Sequence, residues 1–283
     1  MNADYIAQCG LLAMLLELSS SPKAGNVDRC HDHDDTRFQH FVASAVSSYP
    51  AFRKAASGEG SIGSLLLEAV RAWEGWQICG NTHFGSLVLL IPLAKSAGRN
   101  GPLERELCKL LNNTTVDDAV DFYSAFLLTG ARVADVDELS LKDASSVDEL
   151  KRRGHSLLDL MKLSQNHDLI AREWSSCFQR SFELSLIIRD KVSSYGINDG
   201  VVIAYFEALS KEPDSLVQAK FGLKKAIEVS QLAKSVLRED PGQTLLNARE
   251  LDSLFIQEGI NPGSTADLIS AALFIALLNG MRF

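Results

Sequence analysis

Apolar residues recur at i, i+3, i+4 and i+7 along most of the chain, which is the period of an amphipathic helix. The pattern predicts helices over 6–18, 38–52, 62–78, 116–128, 147–163, 169–188, 201–209, 221–236, 248–255 and 266–278. Alternating apolar and polar runs, the mark of a half-buried strand, are nearly absent, so the expected class is all-α. Two stretches, 86–94 and 266–279, are apolar nearly all round. They fall short of the roughly 20 residues that cross a bilayer and read as buried core helices.

Turn and cap chemistry cuts the chain in the same places. Ser21-Pro22-Lys23-Ala24-Gly25 closes the first helix, Ser57 to Gly60 the second, and Gly98 to Pro102 a later one. Thr115 with Asp118, and Ser146 with Glu149, have the spacing of a capping box. The polar stretch 135–146 is the one internal linker expected, and without a repeat or a low-complexity tract the reading is a single helical domain over 1–283.

Composition narrows the function classes. The hydrophobic and charged shares, 46% and 23%, are those of a folded globular chain. A formal net charge of −8 repels nucleic acid and anionic membranes, although a few cations focused in a cleft still hold a phosphate. Five scattered cysteines without a C-x-x-C pair read as reduced thiols. No basic residue precedes Lys23, so no signal peptide is expected and the reading is a cytoplasmic protein.

Three polar, glycine-containing segments interrupt the amphipathic pattern. The first runs from Glu17 to Asp35: Pro22 and Gly25 shape a turn, Lys23 and Arg29 offer donors for phosphate, and Asp28, Asp34 and Asp35 offer hard oxygens for Mg²⁺. His31 and His33 form an H-x-H pair that also admits zinc. The second, Gly80-Asn81-Thr82-His83-Phe84-Gly85, precedes an apolar helix; Asn81 or Thr82 is expected to cap it, with His83 in its first turn. The third, Asn261 to Asp267, precedes the last helix, with Ser264 as expected N-cap and Asp267 completing the box. A further element, 166–173, spaces Asp168 and Arg172 as an i, i+4 pair.

In this order the segments resemble the triphosphoribosyl-dephospho-CoA synthase family, over residues 17 to 270. A family T-P-x-P-G-L-V-D is met by Pro22, Gly25, Val27 and Asp28, and an H-x-D-M by His33 and Asp35. G-G-x-N-T-H-K-G is met by Asn81, Thr82, His83 and Gly85, with Phe84 where Lys is usual. S-P-G-G-S-A-D-L-L is met by Pro262, Gly263, Ala266, Asp267 and Leu268, with Ser264 and Thr265 in place of Gly and Ser. The weakest match is D-T-N-L-L-x-R-G-G against 166–173, where the double glycine is gone.

The resemblance implies an all-helical transferase that moves the triphosphoribosyl group of ATP to the 2'-hydroxyl of 3'-dephospho-CoA, or a related small-molecule acceptor, and releases adenine. It implies Mg²⁺ as cofactor, with Asp28, Asp35 and Asp267 as metal-side carboxylates. Asp28, Asp35 and His83 are then the catalytic candidates. Lys23, Asn26, Arg29, Asn81, Thr82, Arg172, Ser264 and Thr265 are expected nucleotide contacts. Phe84 offers either a stacking surface for an altered acceptor or a core side chain. The alternatives are a Mg²⁺-dependent nucleotide or ADP-ribose hydrolase and a helical binding protein without catalysis. No nucleic-acid or membrane partner is expected, and a homodimer is compatible with the sequence.

Overall fold

The structure, a computed structural model, describes residues 1–33, 36–76, 78, 82–130 and 150–283. The labelled helices are α1 (Ala3–Ser19), α2 (Phe38–Ser47), α3 (Tyr49–Ala56), α4 (Ile62–Arg71), α5 (Phe84–Ala97), α6 (Leu103–Asn112) and α7 (Val116–Thr129). They continue as α8 (Leu157–Ser164), α9 (Leu169–Ser175), α10 (Gln179–Lys211), α11 (Ser215–Phe221), α12 (Leu223–Val236), α13 (Pro241–Glu258) and α14 (Gly263–Leu278). No strand occurs among the described residues, so the all-α reading holds; an antiparallel bridge joins Asp28 and His31.

Several expected helices are each broken in two, and each break has a local cause. The 38–52 segment divides between α2 and α3 because Pro50, in the first turn of α3, cannot donate back to α2. The 147–163 segment has its first three residues outside the described ones; helix resumes at 150–153, stops at Gly154 (φ +69°), and restarts where Ser156 caps α8 in a box with Asp159. The 169–188 segment divides at Cys177 and Phe178, whose φ angles of +54° and +62° no helix accommodates. α10 is kinked at Gly196 (φ +77°). The expected cap at Ser146 and the linker 135–146 lie outside the described residues.

The chain divides into two compact units, each built from two stretches: Met1–Leu11 with Val42–Gln179, and Leu12–Phe41 with Arg180–Phe283. In the first, α5 is buried along almost its whole length, as its apolar sequence demands, with α3, α4, α6 and α9 against it. Trp174 of α9 donates its indole N–H to the Val88 carbonyl of α5, 3.2 Å away. α4 and α7 approach backbone to backbone at Gly63, where a Cβ would lie 2.4 Å from the Asp118 carbonyl oxygen. Asp118 closes the predicted capping box with Thr115 and also accepts from the Gly63 N–H at 2.8 Å. Cys108 and Cys177 are joined by a disulfide, which corrects the expectation of thiols throughout; their sequence separation of 69 hid the pairing.

In the second unit α14 is the buried element, and α11 and α12 pack near it and α13. Its first turn corrects a predicted cap. Pro262, not Ser264, holds the N-cap position and supplies no capping side chain. The Thr265 N–H of that turn finds Asp214 instead. That fully buried carboxylate accepts from Leu216 and Val217 at the start of α11, and from both the N–H and the hydroxyl of Thr265 at 2.7 and 2.8 Å. Asp267 stands one turn further on, outside any capping box.

Candidate functional site

The first polar segment folds into a tight hairpin between α1 and α2. Residues 20–28 are buried, which is unusual for a turn so rich in polar groups, and Lys23, Asn26 and Asp28 each find partners inside the unit. Gly25 has φ +77°, and a Cβ there would stand 2.1 Å from the Ile260 carbonyl oxygen, so only glycine fits. Both its backbone groups are used: its N–H donates to Asp252 Oδ1 at 2.9 Å, and its carbonyl lies 3.0 Å from His33 Nε2.

α10 supports the hairpin from another side. Asn198 accepts from the Ser21 N–H and donates to the Ser21 carbonyl, both at 3.0 Å, and its Oδ1 also accepts from exposed Arg29 at 2.9 Å. The Tyr205 hydroxyl accepts from Asn26 at 2.7 Å and donates to the Ala24 carbonyl at 3.1 Å. Burial, with the nearby Asp214 carboxylate, holds the Tyr205 hydroxyl well above the usual phenol range, so it remains a donor.

The charges lie within this frame. Lys23 is fully enclosed; its Nζ lies 3.4 Å from Glu17 and donates to the Ser20 carbonyl at 2.9 Å. Burial raises the Glu17 carboxyl and the Lys23 cation partly offsets it. The expected phosphate donor is thus turned inward and braces the hairpin. Asp28 is buried as well. Its Oδ1 accepts from the Cys30 N–H at 2.7 Å and its Oδ2 from the Lys23 N–H at 3.4 Å. Two backbone hydrogen bonds between Asp28 and His31, at 3.1 and 3.2 Å, close the hairpin.

His31 brings two carboxylates together: its Nδ1 stands 3.0 Å from Asp252 Oδ2 and 3.8 Å from Asp28 Oδ1. His31 Nδ1 makes no hydrogen bond among the described residues, although Asp252 Oδ2 stands within ion-pairing distance of it. Burial raises the Asp252 carboxyl, and the Gly25 N–H and His31 act against that rise. The two histidines of the H-x-H motif serve different partners. Among the described residues no group of three or more His, Cys, Asp or Glu is arranged to hold a metal.

In the same unit lie Ser264, whose hydroxyl is 2.8 Å from that of Ser215, Thr265 on Asp214, and the half-exposed Asp267. The other unit carries Thr82, His83 and Arg172. His83 occupies the N-cap position of α5 rather than its first turn, is buried, and places Nδ1 2.6 Å from the Ser44 hydroxyl. Thr82 is buried, and its Oγ1 finds no hydrogen-bond partner among the described residues. Arg172 donates from Nε to the Gln165 carbonyl at 3.1 Å, while Asp168 caps α9 through the Ala171 N–H at 2.8 Å. Asp35 and Asn81 lie outside the described residues.

Phe84 resolves into a core residue: it is 6% exposed, with its ring centroid 5.6 and 6.0 Å from those of Phe122 and Phe126. Sequence reasoning missed Asp252, Asp214, Tyr205 and Asn198. Asp252 alone left a legible trace, since it falls on the same helical stripe as Ala248 and Phe255, where a carboxylate needs a partner.

Comparison with known proteins gives one answer. The CitG family, described as ATP:dephospho-CoA triphosphoribosyl transferase, matches residues 3–282. A protein of Malonomonas rubra named a probable 2-(5''-triphosphoribosyl)-3'-dephosphocoenzyme-A synthase is 25% identical, over 95% of this chain and 86% of its own. A protein of the same name from Pseudomonas putida is 26% identical over 96% and 94%. A crystal structure from Archaeoglobus fulgidus, provisionally assigned as a triphosphoribosyl-dephospho-CoA synthase, superposes with a TM-score of 0.71 at 30% identity. The match covers 85% of this chain and all of that one.

Proposed function

Since the chain belongs to the CitG family of ATP:dephospho-CoA triphosphoribosyl transferases, we propose that it transfers the triphosphoribosyl group of ATP to the 2'-hydroxyl of 3'-dephospho-CoA. The bond between adenine and the ribose carbon breaks, a bond from that carbon to the acceptor oxygen forms, and the hydroxyl proton is balanced by a proton on the departing adenine. The observation that carries the reading is the family match over residues 3–282, together with its motif hairpin built as a closed polar structure.

Glycosyl transfer passes through a state with positive charge at the ribose carbon, and carboxylates suit it twice: as base for the hydroxyl and as counter-charge. Asp28, Asp35 and His83 are the groups proposed for these roles. Asn26, Arg29, Asn81, Thr82, Arg172, Ser264 and Thr265 are proposed to hold the nucleotide, directly or by fixing the backbone around it. Lys23 belongs to the second kind, since Glu17 already takes its charge.

Mg²⁺ fits the donor chemistry. The proposed ligands are carboxylate oxygens, the hard donors that Mg²⁺ prefers alongside substrate phosphates. Asp28, Asp35 and Asp267 are proposed to hold it, where it would neutralise the triphosphate. No helix among the described residues is long and apolar enough to cross a membrane; a cytoplasmic enzyme working on soluble substrates is the matching proposal.

The test is incubation with ATP and Mg²⁺, with and without dephospho-CoA, followed by assay for free adenine. Adenine release that requires dephospho-CoA is expected. Release that proceeds equally without it would replace the transferase with a hydrolase, and no release with any acceptor would overturn the enzymatic reading.

A further inference from the structure

His31 lies outside the residues that carry the family resemblance, yet it is the accessible member of the hairpin's charged cluster. Asp28, Asp252, Glu17 and Lys23 all have buried side chains. The His31 side chain is 40% exposed while its Nδ1 is enclosed against the carboxylates. The accessible part of the ring is therefore its outer edge, which carries Nε2. Among the described residues Nε2 meets no hydrogen-bond partner in the protein. The backbone bridge to Asp28 holds the residue's main chain, and the Asp252 carboxylate on α13 stands 3.0 Å from the ring at Nδ1. An exposed imidazole restrained at its main chain and faced by a carboxylate loses side-chain freedom and is oriented as a binding group needs.

We infer that His31 is a substrate-contacting residue, its Nε2 hydrogen-bonding a substrate oxygen while Asp252 acts as the positioning residue that fixes the ring through Nδ1 and the hairpin through Gly25. The inference rests on the transferase reading and adds to it a residue that the family motifs do not supply. The oxygen belongs to a phosphate or hydroxyl of the nucleotide, or to the acceptor, and the two sources separate by experiment.

The full-length enzyme, His31→Ala, His31→Gln and Asp252→Asn are compared in steady-state adenine release and by proton–nitrogen correlation spectra of the imidazoles. His31→Ala is expected to lose on the order of ten- to a hundredfold in kcat/KM, the usual effect of removing one well-placed hydrogen bond in a site. A raised KM for ATP marks a nucleotide oxygen, and a raised KM for dephospho-CoA marks the acceptor. His31→Gln, which keeps a polar tip, should recover part of the loss. In the wild type MgATP or dephospho-CoA should move the His31 Nε2 signal, and Asp252→Asn should move it without ligand. Wild-type kcat and KM in His31→Ala, with no ligand-induced shift, would overturn the inference while leaving the transferase intact. A wild type that binds no nucleotide and releases no adenine would remove both.

Discussion

At the scale of single residues, burial decides what a motif residue does. Phe84 occupies the position where the family usually has Lys, and sequence alone left open whether it serves a substrate or the core. Its contacts with Phe122 and Phe126 place it in the core. Phe84→Lys, which restores the family residue, should therefore destabilise the protein by about 2–4 kcal/mol, the usual cost of an unpaired buried cation in place of a packed ring. Urea denaturation measures it, and a variant as stable as the parent with improved turnover would show that the site needs a cation there. Lys23 teaches the same lesson in reverse. A cation beside Pro and Gly reads as a phosphate donor, but Glu17 lies one helical turn before the hairpin, and no spacing rule announces that the two will meet. Gly25 was legible as a turn, whereas the Ile260 carbonyl that forbids any side chain there comes from 235 residues further along the chain.

At the scale of elements, local signals were read correctly wherever both partners lie within a few residues. The Thr115–Asp118 box is present as its spacing predicts, and α1, α5 and the last helix lie where their patterns put them. Failure came where a helix start borrows its cap from elsewhere: Ser264 looks like an N-cap, but Asp214, 51 residues before Thr265, takes the Thr265 N–H of the last helix. Periodicity also runs across breaks, as at Cys177 and Phe178, because the apolar stripe continues through residues whose backbone does not. The local box has a pH signature. Burial opposes the Asp118 charge, but hydrogen bonds from Gly63, Thr115 and Ser61 outweigh it, and the carboxyl lies below its ordinary value of 3.8. A depressed acid contributes stability that is fully present above the unfolded value and lost as pH falls through the folded one. Asp118→Ala should cost about 1–2 kcal/mol at neutral pH, the usual worth of a cap. The difference from wild type should shrink as pH is taken below 3.8. A gap independent of pH in urea titrations would show that packing, not the carboxylate, carries the effect.

At the scale of the whole molecule, the net charge of −8 frames how an anionic nucleotide is held. Three carboxylates, Glu17, Asp28 and Asp252, gather around the hairpin, and the one buried cation among them is already paired with Glu17. A bare triphosphate would meet repulsion there; a triphosphate whose charge is masked by Mg²⁺ would not. ATP should therefore stabilise the protein only together with Mg²⁺ or Mn²⁺. At a hundredfold excess over its dissociation constant, mass action gives about 2.7 kcal/mol and a corresponding rise in Tm. EDTA should abolish the rise and Mg²⁺ restore it. Zinc offers no substitute on this reading, because His31 turns to the carboxylates and His33 to the Gly25 carbonyl, so the H-x-H pair does not converge on one ion. Thermal denaturation with ATP alone, Mg²⁺ alone, both, and both with EDTA separates the cases. A full shift with ATP in EDTA would mean that protein cations hold the triphosphate unaided, and stoichiometric zinc in protein purified without added metal would move the site's chemistry from oxygen ligands to imidazole.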